Sequence, residues 1–89
     1  MAVFRIFIVE DDPWYGQVLM HHLGLNPDYD LELFTSGKDL VNNLYKAPDL
    51  ICMDYGLPDI AGDKLLLELK SRNKQIPVIV ISGQEEINV

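Results

Sequence analysis

An α/β fold built on a parallel sheet is predicted by three features of the 89-residue sequence. Four short apolar runs rich in β-branched residues alternate with three longer segments whose apolar residues recur at helical spacing. The joins between them are short and carry Gly, Pro, Ser and Asp. Such βαβαβαβ alternation calls for parallel strands, right-handed crossovers and helices on both faces of the sheet.

Val3 to Val9 is β-branched and aromatic and, apart from Arg5, unbroken by polar residues, as expected of a central strand covered on both faces. It runs into Glu10-Asp11-Asp12 and Pro13, where Asp12 can cap a helix whose first position is the proline. That helix is expected over Pro13 to Leu23, with Trp14, Val18, Leu19 and Leu23 inward beside Tyr15 and Met20, and Gly24 and Asn26-Pro27 as the stop. Leu31 to Phe34, after Tyr29, reads as a short second strand nearer a sheet edge. Ser36 can cap a second helix through about Tyr45, with Leu40, Val41, Leu44 and Tyr45 on its apolar face, before Ala47-Pro48 ends it.

Leu50 to Met53 is a continuous apolar run that reads as a strand buried on both faces, and it ends on Asp54 before a loop punctuated by Gly56, Pro58 and Gly62. Asp63 to Arg72 forms the third helix, Leu65, Leu66 and Leu69 inward, with Glu68 and Arg72 four apart as a surface pair. Pro77 introduces Val78 to Ile81, a fourth buried strand that ends on Ser82-Gly83.

Composition narrows the function. The chain is a single domain, and 48% hydrophobic residues support a packed core. A formal charge of −7, from 14 acidic and 7 basic residues with no Lys/Arg cluster, argues against direct nucleic-acid binding. No apolar run approaches the roughly 20 residues of a membrane span, and no signal-type segment opens the chain, so a cytoplasmic location without membrane contact is expected. Cys52 is the only cysteine and, inside an apolar strand, reads as a core filler.

The strand ends carry the chemistry. In a parallel sheet the carboxyl ends share one side, which is where ligands bind, and here they deliver Glu10-Asp11-Asp12, Asp54 and Ser82. If the first and third strands are neighbours, Asp11 and Asp54 meet with Glu10 beside them. Carboxylates crowded in this way repel unless a cation sits between them, and Mg²⁺, a hard ion that prefers oxygen, suits the set. Each acid also has a plainer reading: Asp12 as a helix cap, Glu10-Asp11 as a solvated turn, Asp54 as the start of an Asx turn. Elsewhere no Gly-rich phosphate loop occurs, and His21-His22 lack the i, i+4 partner of a zinc pair, which leaves them as partly solvated helix residues. Trp14 reads as packing on the helix flank.

Together these segments resemble the receiver domain of two-component response regulators. The resemblance rests on Phe-Ile-Val-Glu-Asp-Asp at 7–12, Asp-Leu-Ile-Cys-Met-Asp-Tyr-Gly-Leu-Pro-Asp at 49–59, Gly62 and Pro-Val-Ile-Val-Ile-Ser-Gly at 77–83. It implies a flavodoxin-like parallel sheet of order 2-1-3-4. It further implies that Asp54 accepts a phosphoryl group from a histidine kinase or phosphotransfer protein, that Glu10, Asp11, Asp54 and the Gly56 carbonyl hold Mg²⁺, and that Ser82 grips the phosphorylated aspartate and switches the loop after it. Pro58 and Gly62 match the loop that shapes the site.

The family's fifth strand, which ends in a lysine, and its fifth helix have no counterpart before Val89, and Lys74 precedes the fourth strand. The expectation is a receiver over 1–89 that is incomplete at its carboxyl end, with the fourth strand as an apolar edge open to a homodimer or an exchange of elements. The alternative function is a receiver-like interaction module that takes no phosphate. An enzyme, such as an aspartyl-phosphate hydrolase, is disfavoured because Tyr55-Gly56 follows Asp54 where an acid would be needed.

Overall fold

The computed structural model describes residues 3–54, 56–72 and 75–81. Four strands, β1 (Phe4–Val9), β2 (Tyr29–Phe34), β3 (Leu50–Asp54) and β4 (Val78–Ile81), form one parallel sheet in the order β2-β1-β3-β4. Three helices connect them: α1 (Pro13–Leu23), α2 (Gly37–Asn42) and α3 (Gly62–Arg72). Among the described residues no helix is long and apolar enough to cross a membrane.

Register decides which side chains share a face. Phe7 pairs with Glu32 and Ile51, and Val9 with Phe34 and Met53, so these positions point to one side of the sheet. There Phe7, Val9, Phe34, Ile51 and Met53 are buried with Leu40 of α2 and Leu65 and Leu69 of α3, forming the main core. Phe7 and Phe34 meet edge to face, ring centroids 4.9 Å apart. Ile6 and Ile8 fill the opposite side, which they share with Leu31 and Leu33, and α1 lies over it. Gly16 allows that approach, because a Cβ there would stand 3.1 Å from Leu33 Cδ2.

Local signals set the helix starts. Asp12 caps α1, its Oδ1 accepting the Trp14 and Tyr15 amides at 3.0 and 3.4 Å, with Pro13 as the first helical residue. Ser36 Oγ accepts the Asp39 amide at 3.2 Å in the first turn of α2. Glu68 and Arg72 form the expected surface pair at 2.8 Å.

Some expectations need correction. Helix α2 stops at Asn42 rather than near Tyr45. Asn43 leaves helical geometry and donates its side-chain amide to the Asp39 carbonyl at 2.7 Å, and a 3₁₀ turn follows over Leu44–Lys46. Tyr45 consequently faces solvent instead of the core. Trp14 is 73% exposed, not packed on the helix flank, since the buried position on α1 is Gly16.

Strand β4 is not covered on both faces: Ile79 and Val80 are 49% and 44% exposed. Among the described residues β4 has β3 as its one strand neighbour. Cys52, the register partner of Ile79, is correspondingly only half-buried, and burial still pushes its thiol pKa upward.

Candidate functional site

Glu10 follows β1 and Asp54 ends β3, and the pairing of Val9 with Met53 carries the two acids side by side at the carboxyl end of the sheet. Glu10 remains tied to the sheet, its amide donating to the Phe34 carbonyl at 2.9 Å. Strand alternation turns both side chains toward the face that α1 covers, where a Cβ on Gly16 would stand 3.8 Å from Glu10 Cγ.

The result is a cluster of Glu10, Asp11 and Asp54 in which one carboxylate oxygen from each lies within 4.8 Å of the others. Glu10 is 1% and Asp54 6% exposed, while Asp11 faces solvent. The Glu10 carboxyl is pushed up from 4.5 to about 7, chiefly by burial and further by the charges of Asp54 and Asp11. The Asp12 amide, donating to Glu10 Oε2 at 3.1 Å, pulls the other way without prevailing.

An acid whose pKa is raised by burial and by neighbouring acids is the electrostatic counterpart of a cation site: positive charge placed among the three would offset both causes. The donors are all oxygens, two buried and one open to solvent, which suits Mg²⁺ with part of its water shell retained. Asp12 spends its side chain on the α1 cap, the plainer of its two readings.

Gly56 sits exposed just after the cluster, and its amide is directed at Asp54 Oδ1, 3.4 Å away. Ser82 lies outside the described residues, as does Lys74; the last described residue of β4 is Ile81, which is in register with Asp54. His21 and His22 are exposed at the end of α1, away from the acids.

The sequence context of Asp59 carries little signal of its role. Its two carboxylate oxygens accept the amides of Gly37 and Lys38, each at 3.0 Å, tying the β3–α3 loop to the start of α2. These two bonds, Gly37 first, hold its carboxyl below the usual carboxylate range. The only sequence signal was an acid in a Pro-containing loop, because the partner amides lie more than twenty positions away.

Comparison with known proteins points in one direction. Residues 6–89 match the family model described as response regulator receiver domain. The chain is 32% identical over 82 residues to the transcriptional regulatory protein CssR of Bacillus subtilis, covering 92% of the chain and 36% of that protein. It is 32% identical over 89 residues to MalR of the same organism, covering 98% and 38%. The chain thus spans well under half the length of these curated relatives. Among solved structures, the non-phosphorylated HemR receiver domain from Leptospira biflexa superposes with a TM-score of 0.82 at 28% identity, covering 94% of this chain and 68% of that one. TrrA from Thermotoga maritima, solved with Mg²⁺ and beryllium fluoride, shares the fold with a TM-score of 0.84 at 21% identity, covering 93% and 72%.

Proposed function

The chain belongs to the response regulator receiver domain family, and from that premise we propose that it serves a phosphorelay, with Asp54 accepting a phosphoryl group from a phosphohistidine on a histidine kinase or phosphotransfer protein. Receiver domains of transcriptional response regulators are signalling modules rather than enzymes. The acidic cluster of Glu10, Asp11 and Asp54 resembles their phosphorylation site, and its three convergent carboxylates are the observation that carries the proposal.

In this reading the carboxylates of Glu10, Asp11 and Asp54, with the Gly56 carbonyl, hold Mg²⁺. The bound ion supplies charge neutralisation for an anionic phosphoryl group approaching an anionic acceptor. An Asp54 oxygen forms the new P–O bond as the P–N bond to the donor imidazole breaks, and the imidazole leaves with the bonding pair and takes up a proton. The Gly56 amide, aimed at Asp54 Oδ1, orients the acceptor. Glu10 must give up its proton for the metal to bind, and Asp11, at the solvent side, is the natural entry ligand. Ser82 is assigned as the hydroxyl that senses the phosphate and switches the loop after it. A cytoplasmic location fits a donor of this kind.

Exposure to beryllium fluoride or a small phosphodonor, with and without Mg²⁺, tests the reading by NMR or intact mass. The expected result is a Mg²⁺-dependent adduct that disappears in Asp54→Asn. An adduct that survives this substitution overturns the acceptor assignment, and absence of any metal binding favours the unphosphorylated interaction module.

The exposed Ile79 and Val80 of edge strand β4 support a second partner, another copy of the chain joined through that edge by pairing or exchange of elements. Sedimentation is expected to show self-association that Val80→Lys weakens; a monomer at high concentration would exclude it.

A further inference from the structure

We propose that Asp59 is a positioning residue for the acidic site: by holding the Gly37 and Lys38 amides it fixes the loop that carries Gly56 against the start of α2. The inference rests on the reading of Glu10, Asp11, Asp54 and Gly56 as a metal site.

The first amides of a helix have no intrahelical partner, and a carboxylate is favoured at that positive end. Two acceptors divide the work in α2. Ser36 Oγ takes the Asp39 amide, which is the ordinary local cap, while Asp59 takes the two amides ahead of it from across the molecule. A local cap could do its part without touching the loop, so the second one does something a cap alone does not require.

The loop between Asp54 and α3 is pinned at separate points. Asp54 receives the Gly56 amide at one end, Leu57 is buried in the core, and Asp59 holds α2 at the other end. Ile60 then fits against Gly37 so closely that a Cβ on that glycine would collide with Ile60 Cγ2. Gly56 itself is exposed, and its amide on Asp54 Oδ1 ties it on the β3 side. The course of the loop past Gly56 therefore depends on the anchors that flank it, of which Asp59 is the polar one on the α3 side.

The test compares three variants of the whole chain: Asp59→Ala, Asp59→Asn and Ser36→Ala. Mg²⁺ affinity is measured by titration, and hydrogen exchange of the Gly56 and Leu57 amides is measured without metal. Asp59→Ala is expected to weaken Mg²⁺ binding by about tenfold, the usual scale for residues that orient metal ligands, and to speed exchange at Gly56. Asp59→Asn, which keeps one acceptor oxygen, should fall between and serves if the alanine variant fails to fold. Ser36→Ala removes the neighbouring cap at a similar structural cost and should leave Mg²⁺ affinity within about twofold of the parent.

Equal weakening in Ser36→Ala and Asp59→Ala, or none in the Asp59 variants, overturns the proposal. If the parent chain binds no Mg²⁺, the reading of the site fails instead. Amide exchange then decides the role of Asp59 alone, and an unchanged Gly56 in Asp59→Ala refutes it.

Discussion

Glu10 and Asp54 stand at the ends of adjacent strands with carboxylate oxygens within 4.8 Å, each carboxyl almost wholly buried. A hydrophobic pair would serve the fold better at this position, because two buried acids repel when charged and each loses hydration. The sheet tolerates them by keeping Glu10 neutral up to about pH 7.

Stability without divalent ions should fall with rising pH. The folded-state pKa of Glu10, about 7, lies above its ordinary value of 4.5, so its contribution is fully present below 4.5 and is lost as the pH climbs through about 7. For this group alone the loss is on the order of 2–3 kcal/mol. Urea denaturation in a chelator at about pH 5 and pH 8 measures it, with Glu10→Gln as the reference that removes the titration. Identical pH slopes in parent and variant would contradict the assignment.

Mg²⁺ affinity should show the opposite trend. The ion competes with the Glu10 proton, so binding weakens as the pH drops below about 7, approaching tenfold per unit. Titrations across that range should show the slope in the parent and a flatter, weaker profile in Glu10→Gln.

Gly37→Ala should destabilise by about 1–3 kcal/mol, although alanine is the better helix former, because the new methyl collides with Ile60 in a packed region. Gly56→Ala meets no atom within 4 Å and should change stability by less than about 0.5 kcal/mol. Thermal melts of the two variants side by side check the contrast.

Leu65 and Leu67 share helix α3 and differ only in direction. Leu65→Ala opens a cavity in the main core and should cost about 2–4 kcal/mol, whereas Leu67 projects into solvent and its truncation should cost less than about 0.5 kcal/mol. Comparable losses would mean that the outer face of α3 is covered in solution.

The order of elements, the Asp12 and Ser36 caps and the convergence of Glu10, Asp11 and Asp54 were all readable in the chain. Each depends on neighbours in sequence or on a rule that parallel strands obey: apolar periodicity marks the elements, and carboxyl ends of parallel strands lie together. Leu44 and Tyr45 continue the apolar spacing of α2 past its end at Asn42. Asn43 ends it through a side-chain bond that periodicity does not register.

Other features had no local signature. Trp14 has the character of packing material, yet it faces solvent and Gly16 is the buried contact that brings α1 onto the sheet. Asp59 reaches Gly37 and Lys38 through the packing of the β3–α3 loop on α2. Patterns written into consecutive residues survive as one-dimensional information because the backbone enforces them turn by turn. Contacts between distant segments depend on how the elements are stacked, and that stacking is settled by the burial of the core as a whole.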